Sequence, residues 1–189
     1  IIVEKPFATT LDSFNRIKDA ICKHQSRFLV SFQRRFHPLI TELKALIEQK
    51  QCGDILSISI DVASYVPAWH PYEDFKQLYA CQQSLGGGVL FTECHELDWC
   101  CWMFGLPKTL YCSAHSHANL DVEDTVHLIL NYDTFSISLN LSFMTPVSKR
   151  HICINGTNAT ITCDLISETL TTTQATPPPS SISSQSCSN

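Results

Sequence analysis

The stretch ILSISIDVASY, from Ile55 to Tyr65, decides the fold of this chain. Its apolar residues alternate with small polar ones, which is the pattern of a long strand with one buried face. Four more strand-like segments follow, near residues 109–117, 124–131, 134–143 and 149–164, the last interrupted at Asn155-Gly156 as in a hairpin. We therefore expect an α+β domain in which helices cover one face of an open, mostly antiparallel sheet.

On the N-terminal side of this strand, short strands alternate with helices. Residues 1–3 are β-branched, as in a buried parallel strand, and Pro6 ends the run. A helix over about 10–24, a strand over 27–33 and a helix that begins at Pro38 follow. Because this order is typical of α/β proteins, we expect a different fold class at this end of the chain.

Two helices and a tail complete the predicted elements. Residues 73–81 and 89–104 have helical character, and three glycines at 86–88 precede the second helix. Half of the residues from 168 to 189 are serine or threonine, three prolines are consecutive, and only Glu168 is charged. Because such a segment cannot bury enough apolar surface to offset its ordering entropy, we expect a disordered tail.

Composition and charge exclude several classes of protein. Thirteen lysines and arginines against eighteen acidic residues leave a net charge of −5, which argues against binding to nucleic acid or to a membrane surface. No apolar run approaches the roughly 20 residues of a membrane-spanning helix. The ten cysteines include no Cys-x-x-Cys spacing and lie mostly in apolar segments, so we expect free thiols in a reducing cytoplasm.

Lys5 and His95 stand where chemistry is expected. Lys5 follows a parallel strand, at the sheet edge where α/β proteins bind ligands, although a solvated lysine at a strand end would look the same. His95 and Asp98 are three residues apart and share one face of a mostly apolar helix. A histidine there can transfer protons near neutral pH, or it can be a core residue bonded to a backbone carbonyl.

Other polar motifs carry weaker predictions. Arg34-Arg35 could bind a carboxylate or a phosphate, but we favour two solvated arginines. The glycines at 86–88 can leave free N–H groups at the start of the next helix. His115 and His117 share a strand face without a third ligand, so we expect no metal site. The six glycines form neither a Gly-x-Gly-x-x-Gly nor a Walker motif, so this chain has no complete phosphate-binding loop.

Six short motifs occur in order between residue 1 and about residue 165. They are Glu4-Lys5-Pro6, FQRRFHP from Phe32 to Pro38, WHPYED from Trp69 to Asp74, the glycines at 86–88 followed by HELD from His95 to Asp98, Trp102-x-Phe104-Gly105-x-Pro107, and Val122-Glu123-Asp124. Together they resemble the Gfo/Idh/MocA family of NAD(P)-dependent sugar and polyol oxidoreductases. The WHPYED loop resembles a subgroup associated with nucleotide-linked or amino-sugar metabolism.

This resemblance implies a division of the chain. Residues 1–33 would be the last strands of a Rossmann domain, and 34–167 would form the substrate domain, whose open sheet often mediates homo-oligomerisation in the family. The cofactor would be NAD or NADP. Its glycine-rich fingerprint would lie upstream of Ile1, and because the chain opens in the manner of a strand interior, we expect further sequence there.

The resemblance also implies roles for individual residues. Lys5 would polarise the reacting oxygen, and His95 would act as the general acid and base. The cofactor would contact Glu4, Lys5 and Pro6, and the substrate would contact Arg35, Trp69, His70 and Asp98. Many members carry an aspartate three or four residues before the histidine, where this chain has Thr92 and Phe91. Glu93 or solvent could replace it, the proton relay could be simpler, or the chemistry could be impaired.

We therefore expect the C-terminal part of an NAD(P)-dependent oxidoreductase that transfers a hydride at a sugar, amino-sugar or polyol hydroxyl. By itself this chain would be inactive and would not bind NAD(H), since the phosphate-binding loop is absent from it. The alternative is a non-enzymatic sugar-binding or oligomerisation module. The expected partners are a small sugar or polyol and further copies of the chain, with neither nucleic acid nor membrane.

Overall fold

The computed structural model describes residues 1–176, which form two β-sheets and the helices that accompany them. In the smaller sheet, β1 (Ile2–Glu4) and β2 (Leu29–Ser31) pair in parallel. They are connected by α1 (Leu11–His24), where the hydroxyl of Thr10 accepts a hydrogen bond from the backbone N–H of Ser13 and caps the first turn. This strand-helix-strand unit confirms the element order predicted for the first part of the chain.

The larger sheet has seven strands. They are β3 (Ile55–Tyr65), β4 (Thr109–His115), β5 (Thr125–Asn131), β6 (Ser136–Ser142), β7 (Met144–Gly156), β8 (Ala159–Asp164) and β9 (Thr169–Gln174). Their order across the sheet is β4-β5-β6-β3-β7-β8-β9. The long strand β3 is central, parallel to β6 and antiparallel to β7, and every other pairing is antiparallel.

Helices cover one face of this larger sheet. The layer consists of α2 (Pro38–Glu48), α3 (Val89–Thr92) and α4 (His95–Phe104). Ile40 of α2 and Trp99 of α4 are buried in the same apolar cluster as Ile60, Leu139 and Ile152 of the sheet. The alternation along β3 thus buries one side against helices, and the predicted α+β fold is confirmed. None of the helices within residues 1–176 is long and apolar enough to cross a membrane.

Two predicted helices differ from the structure. The helix predicted over 89–104 is two helices, because the chain bends at Glu93 and Cys94 between α3 and α4. At this bend the carbonyl oxygen of Thr92 accepts a hydrogen bond from the ammonium group of Lys5. The helix predicted over 73–81 is instead a series of short 3₁₀ turns that includes Phe75–Gln77 and Tyr79–Cys81. The apolar residues of this segment therefore reach the core from successive 3₁₀ turns instead of from one face of a continuous helix.

The tail expected to be disordered from residue 168 begins with a strand, and that part of the prediction was wrong. β9 pairs with β8, and Leu170 packs against the core. The hydroxyls of Thr162 and Thr171, directly opposite each other, lie 2.6 Å apart. Backbone pairing with an existing strand edge compensates for the small apolar content that the composition showed. The remainder of the predicted tail, 177–189, lies outside the described residues.

Candidate functional site

Lys5 lies at the carboxyl end of β1 and reaches the break between α3 and α4. Its Nζ donates a hydrogen bond to the carbonyl oxygen of Thr92 at 2.5 Å. The Lys5-Pro6 peptide bond is cis. Lys5 therefore connects the smaller sheet to the helical layer that covers the larger sheet. Its ammonium group lies beside the first residue of α4.

His95 is that first residue, and it is buried with only 4% of its surface exposed. The edge of its ring meets Phe32, with 6.1 Å between the ring centroids. Burial, together with the nearby cations Lys5, Arg34 and Arg150, lowers the pKa of His95 to about 3, and burial is the largest cause. Among residues 1–176, nothing hydrogen-bonds to its Nδ1. His95 is therefore neutral at physiological pH and has a ring nitrogen available to a bound group.

Asp98 lies one turn further along α4, as predicted, and is bound by Arg35. The guanidinium group donates from Nε to one carboxylate oxygen at 2.6 Å and from Nη2 to the other at 2.5 Å. This arrangement raises the pKa of Arg35. The same guanidinium lies 5.5 Å from the ring centroid of Trp102 and 5.7 Å from that of Phe32. Arg35 is thus a paired, stacked side chain and not the solvated arginine that we favoured.

A buried ion cluster beside His95 was not predicted from the sequence. Arg150 of β7 donates from Nη1 to Glu96 Oε1 at 2.6 Å and from Nη2 to the carboxylate of Glu93. All three residues are buried. Burial raises the pKa of Glu96 to about 7, although Arg150 opposes the rise. Inward-facing Ile154, Ile152 and Arg150 alternate along one strand, and this period-two pattern was a usable sequence signal for a buried arginine.

Trp69 and His70 are not brought into this cluster. Trp69 packs against the ring of Phe143 at a centroid distance of 5.6 Å. His70 makes its hydrogen bond with the hydroxyl of Tyr72 at 2.7 Å and lies 3.2 Å from the carboxylate of Glu73. Their predicted role as substrate contacts therefore remains a prediction.

Glu4 and Pro6 flank Lys5 at the end of the smaller sheet. Glu4 is exposed and lies opposite Ser31 in the strand register, whereas Pro6 is half-buried. Both are at the carboxyl edge of a parallel strand pair, which is where such sheets bind ligands. The structure therefore leaves their expected role in cofactor binding open to test.

Two of the N–H groups that the glycine run was expected to leave free at the start of α3 are bound by Glu123. The backbone N–H of Val89 donates to the carbonyl oxygen of Glu123, and that of Leu90 donates to its side-chain Oε1 at 3.1 Å. Glu123 therefore caps the helix and occupies the place where an anion would bind. Within residues 1–176, no group of three or more His, Cys, Asp or Glu side chains could hold a metal ion.

Comparison with a family model identifies most of the larger domain. Residues 40–162 match the model described as the GFO/IDH/MocA C-terminal domain. The match begins within α2 and ends within β8, so it includes the helical break, His95 and Asp98.

Two curated proteins are similar to parts of this chain. YteT of Bacillus subtilis (strain 168), which is named only provisionally as an oxidoreductase, is 29% identical over 105 residues. That alignment takes in 56% of this chain and 24% of YteT. The trans-1,2-dihydrobenzene-1,2-diol dehydrogenase of Xenopus tropicalis is 26% identical over 135 residues, 70% of this chain and 38% of the enzyme. The chain therefore spans well under half the length of both relatives.

Solved structures share the fold. The WlbA dehydrogenase from Bordetella pertussis, determined in complex with NADH and UDP-GlcNAcA, superposes with a TM-score of 0.79 at 22% identity over 94% of this chain and 55% of that chain. An inositol dehydrogenase homolog from Azotobacter vinelandii, complexed with NAD+, also gives a TM-score of 0.79, at 19% identity over 94% of this chain and 49% of that one. At these identities the likeness shows the fold alone.

Proposed function

This chain belongs to the GFO/IDH/MocA family, and we propose that it forms the substrate side of the active site of an NAD(P)-dependent oxidoreductase. The substrate would be a sugar, amino sugar or polyol, and the reaction a hydride transfer at one of its hydroxyl-bearing carbons. The observation that carries the proposal is the contact between Lys5, which follows the smaller sheet, and the helical break directly before His95. The nucleotide-sugar acid and NADH bound by the similar WlbA dehydrogenase support this substrate class.

In this mechanism His95 and Lys5 handle the proton and the oxygen of the reacting hydroxyl. His95 is neutral at physiological pH, so its ring can accept the O–H proton as the C–H bond breaks. Lys5 Nζ keeps donors besides the one bound to Thr92 and can hold the oxygen while it becomes a carbonyl. A bound nicotinamide would supply the acceptor for the hydride, which carries two electrons away from the alcohol, and His95 would take up the remaining O–H proton.

The residues present fit the reacting end of a dinucleotide better than its phosphates. His95 has an unpartnered buried nitrogen within the described part of the chain, and Lys5 lies beside it at a parallel-strand edge. No glycine-rich phosphate loop occurs among the six glycines. We infer that Glu4, Lys5 and Pro6 are the chain's contacts with the cofactor, and that its phosphates are held by residues outside this chain. We accordingly propose that residues 1–189 alone have no dehydrogenase activity.

Turnover assays in the intact protein that contains this chain test the proposal. Oxidation with NAD+ or NADP+ is measured on three compounds, UDP-GlcNAcA, myo-inositol and trans-1,2-dihydrobenzene-1,2-diol. Each is a ligand or the named substrate of a protein similar to this chain. With the accepted substrate, His95→Ala should lower kcat by about 10²–10⁴-fold, the usual contribution of a general base. Lys5→Met should lower kcat to a similar degree. It should lower the free energy of unfolding by only about the net contribution of one hydrogen bond.

Matched controls are exposed residues of the same types. His117→Ala and Lys18→Met remove an imidazole and an ammonium group from the surface and should leave kcat unchanged. If His95→Ala stayed within a few-fold of wild type, His95 would be a packed core residue and the proposal would be wrong.

Thr92 favours a second candidate, a non-enzymatic sugar-binding module. It stands where many family members carry an aspartate, and it engages Lys5 through its backbone carbonyl rather than through a carboxylate. A binding module would bind one of the sugars in isothermal titration calorimetry without any change in NAD(P)H absorbance. The dehydrogenase would show both.

The uncovered face of the larger sheet suits self-association of the chain. In strand register, one row across it contains Ser113, His127, Asn140, Asp61 and His151. His127 Nδ1 lies 2.8 Å from Asn140 Oδ1, and Asn140 Nδ2 donates to Asp61 Oδ1, also at 2.8 Å. A neighbouring row contains Ser138, Ser59, Cys153 and Thr162 at its middle and the larger, exposed Ile129 and Tyr111 toward the β4 edge. A second copy can approach the short side chains closely and cover the exposed apolar ones, so we propose a homo-oligomer through this face.

A further inference from the structure

Arg150 binds two residues, one before and one after His95 along the chain. Glu93 directly follows α3 and lies two residues before His95, and Glu96 is the second residue of α4. One nitrogen of the guanidinium group bonds each carboxylate, so a single side chain spans the break. The position of His95 is thereby tied to Arg150 through its neighbours on both sides.

Arg150 itself is held within the larger sheet. Arg150 lies on β7, opposite Val62 of the central strand β3. Its side chain is 8% exposed, and those of Glu93 and Glu96 are 11% and 1% exposed. A charge buried to this extent is held in place by its partners, because losing one of them leaves an uncompensated charge in the interior. Arg150 therefore fixes the position of the helix break relative to the middle of the seven-stranded sheet.

The charges that face His95 come from four elements. Lys5 follows β1, Arg34 lies in the 3₁₀ turn that follows β2, Arg150 comes from β7, and Glu93 and Glu96 flank the break. Asp98 of α4 is neutralised by Arg35. The two carboxylates bound to Arg150 offset that cation, so the cations left without a carboxylate partner among the described residues are Lys5 and Arg34.

We propose that Arg150 is a positioning residue for His95: by bridging Glu93 and Glu96 it holds the helix break in one geometry beside Lys5. The inference rests on the proposed function, since it assigns a supporting residue to the same site. It adds a buried group on β7, located 55 residues further along the chain than the histidine that it positions.

The first test follows the titration of His95 directly and needs no turnover. In the intact protein, the ring proton signals of His95 are assigned by NMR from their loss in His95→Asn, and their pH dependence is recorded. Arg150→Met removes a neighbouring cation and frees the break, so the pKa of His95 should rise from about 3 by about half a pH unit, a roughly threefold change in proton affinity. Lys149→Met, the neighbouring exposed cation on β7, is the matched control and should leave the titration unchanged.

The second test separates positioning from stability. Arg150→Met should lower kcat by about 10²-fold with a smaller change in KM, because a displaced base affects the chemical step more than binding. Arg150→Lys, which retains the charge and one bond, should recover part of kcat. If Arg150→Met does not fold, Arg150→Lys and Glu96→Gln carry both measurements, and each should shift the His95 titration in the folded protein.

A purely structural Arg150 gives a different result. Its substitution would then lower the unfolding free energy while kcat and the NMR contacts between the rings of His95 and Phe32 stayed as in wild type; that outcome overturns the inference, because removal of the cation by itself shifts the titration. An intact protein with no NAD(P)-dependent turnover would instead contradict the proposed function, while the ring contacts of His95 would still decide whether Arg150 positions it.

Discussion

At the scale of single residues, His95 is the most perturbed group of the site. Its pKa lies far below that of a histidine in the unfolded chain because burial and three cations disfavour the charged ring. Since the folded protein binds fewer protons at this site than the unfolded chain, the contribution of His95 to stability is greatest above pH 6.5 and is lost as the pH falls toward 3.

This linkage predicts a pH-dependent difference between wild type and His95→Asn. The wild-type unfolding free energy, relative to that of the variant, should fall on going from pH 7 to pH 4.5, with a slope approaching about 1.4 kcal/mol per pH unit for one proton. Urea unfolding of both proteins at several pH values measures the difference. Subtraction cancels the contribution of Glu96, whose raised pKa acts in the opposite direction between pH 4.5 and about 7. A constant difference would show that His95 titrates normally in the fold.

Thr92→Asp adds a carboxylate at one of the two positions, Phe91 and Thr92, where the family resemblance implies an aspartate. The new charge would lie next to Lys5 and one turn before His95, where an anion favours the protonated ring. We expect the pKa of His95 to rise by about 1–3 pH units, as is typical for an opposite charge a few ångströms away. NMR titration measures this shift, and Thr92→Asn, which has the same shape without the charge, is the control. An equal shift in both variants would argue against an electrostatic effect.

At the scale of elements, the glycine run before α3 has a steric reason. Gly88 has a φ of +104°, which side chains rarely adopt, and an added Cβ would collide with the carboxylate of Glu123. That carboxylate caps the helix leading to His95. The glycines thus allow Glu123 to approach α3 closely, which corrects their predicted role as open N–H donors.

Gly88→Ala should therefore destabilise the fold more than the same change at a matched position. Gly105 also has a positive φ, +79°, but nothing lies within 4 Å of an added Cβ. Gly105→Ala should cost about 1–3 kcal/mol of unfolding free energy for backbone strain alone, and Gly88→Ala should cost more because it also displaces the cap. Urea unfolding compares them. Equal losses would mean that Glu123 moves aside without cost.

At the scale of the whole molecule, the homo-oligomer that we propose would form through the uncovered sheet face. Ser59 lies on the central strand β3, between Ser138 of β6 and Cys153 of β7 in register. Ser59→Arg should convert a homo-oligomer to the monomer, since it places a long cation at the middle of a closely approached face. Sedimentation velocity measures the state, and Gln51→Arg, exposed just beyond α2, is the control. An unchanged assembly would place the interface elsewhere.

Two polar contacts between residues that follow the smaller sheet and the helical layer of the larger sheet converge on the site. Lys5 connects β1 to Thr92, and Arg35, just after β2, binds Asp98 of α4. Both link residues that follow the smaller sheet to the helical layer of the larger domain. The position of His95 thus depends on the smaller sheet through Lys5 and on the larger one through Arg150.

The sequence alone determined the features that depend on neighbouring residues. Alternation identified β3, Pro38 marked the start of α2, and the spacing of His95 and Asp98 placed both on one helical face. Such patterns are local, because a strand or helix repeats every two or 3.6 residues. Composition failed for β9, where pairing with an existing edge outweighs the preference of single residues.

Tertiary structure alone decided which distant side chains meet. Arg150 lies 54 residues from Glu96 and 57 from Glu93, and Lys5 lies 87 residues from Thr92. Their partnership follows from strand order, with β7 beside central β3 beneath the helix break. No periodicity records it, because buried charges choose partners only after the chain has brought them together and removed water from between them. The motifs could be predicted from the sequence, but the environment that sets their chemistry arises from the fold.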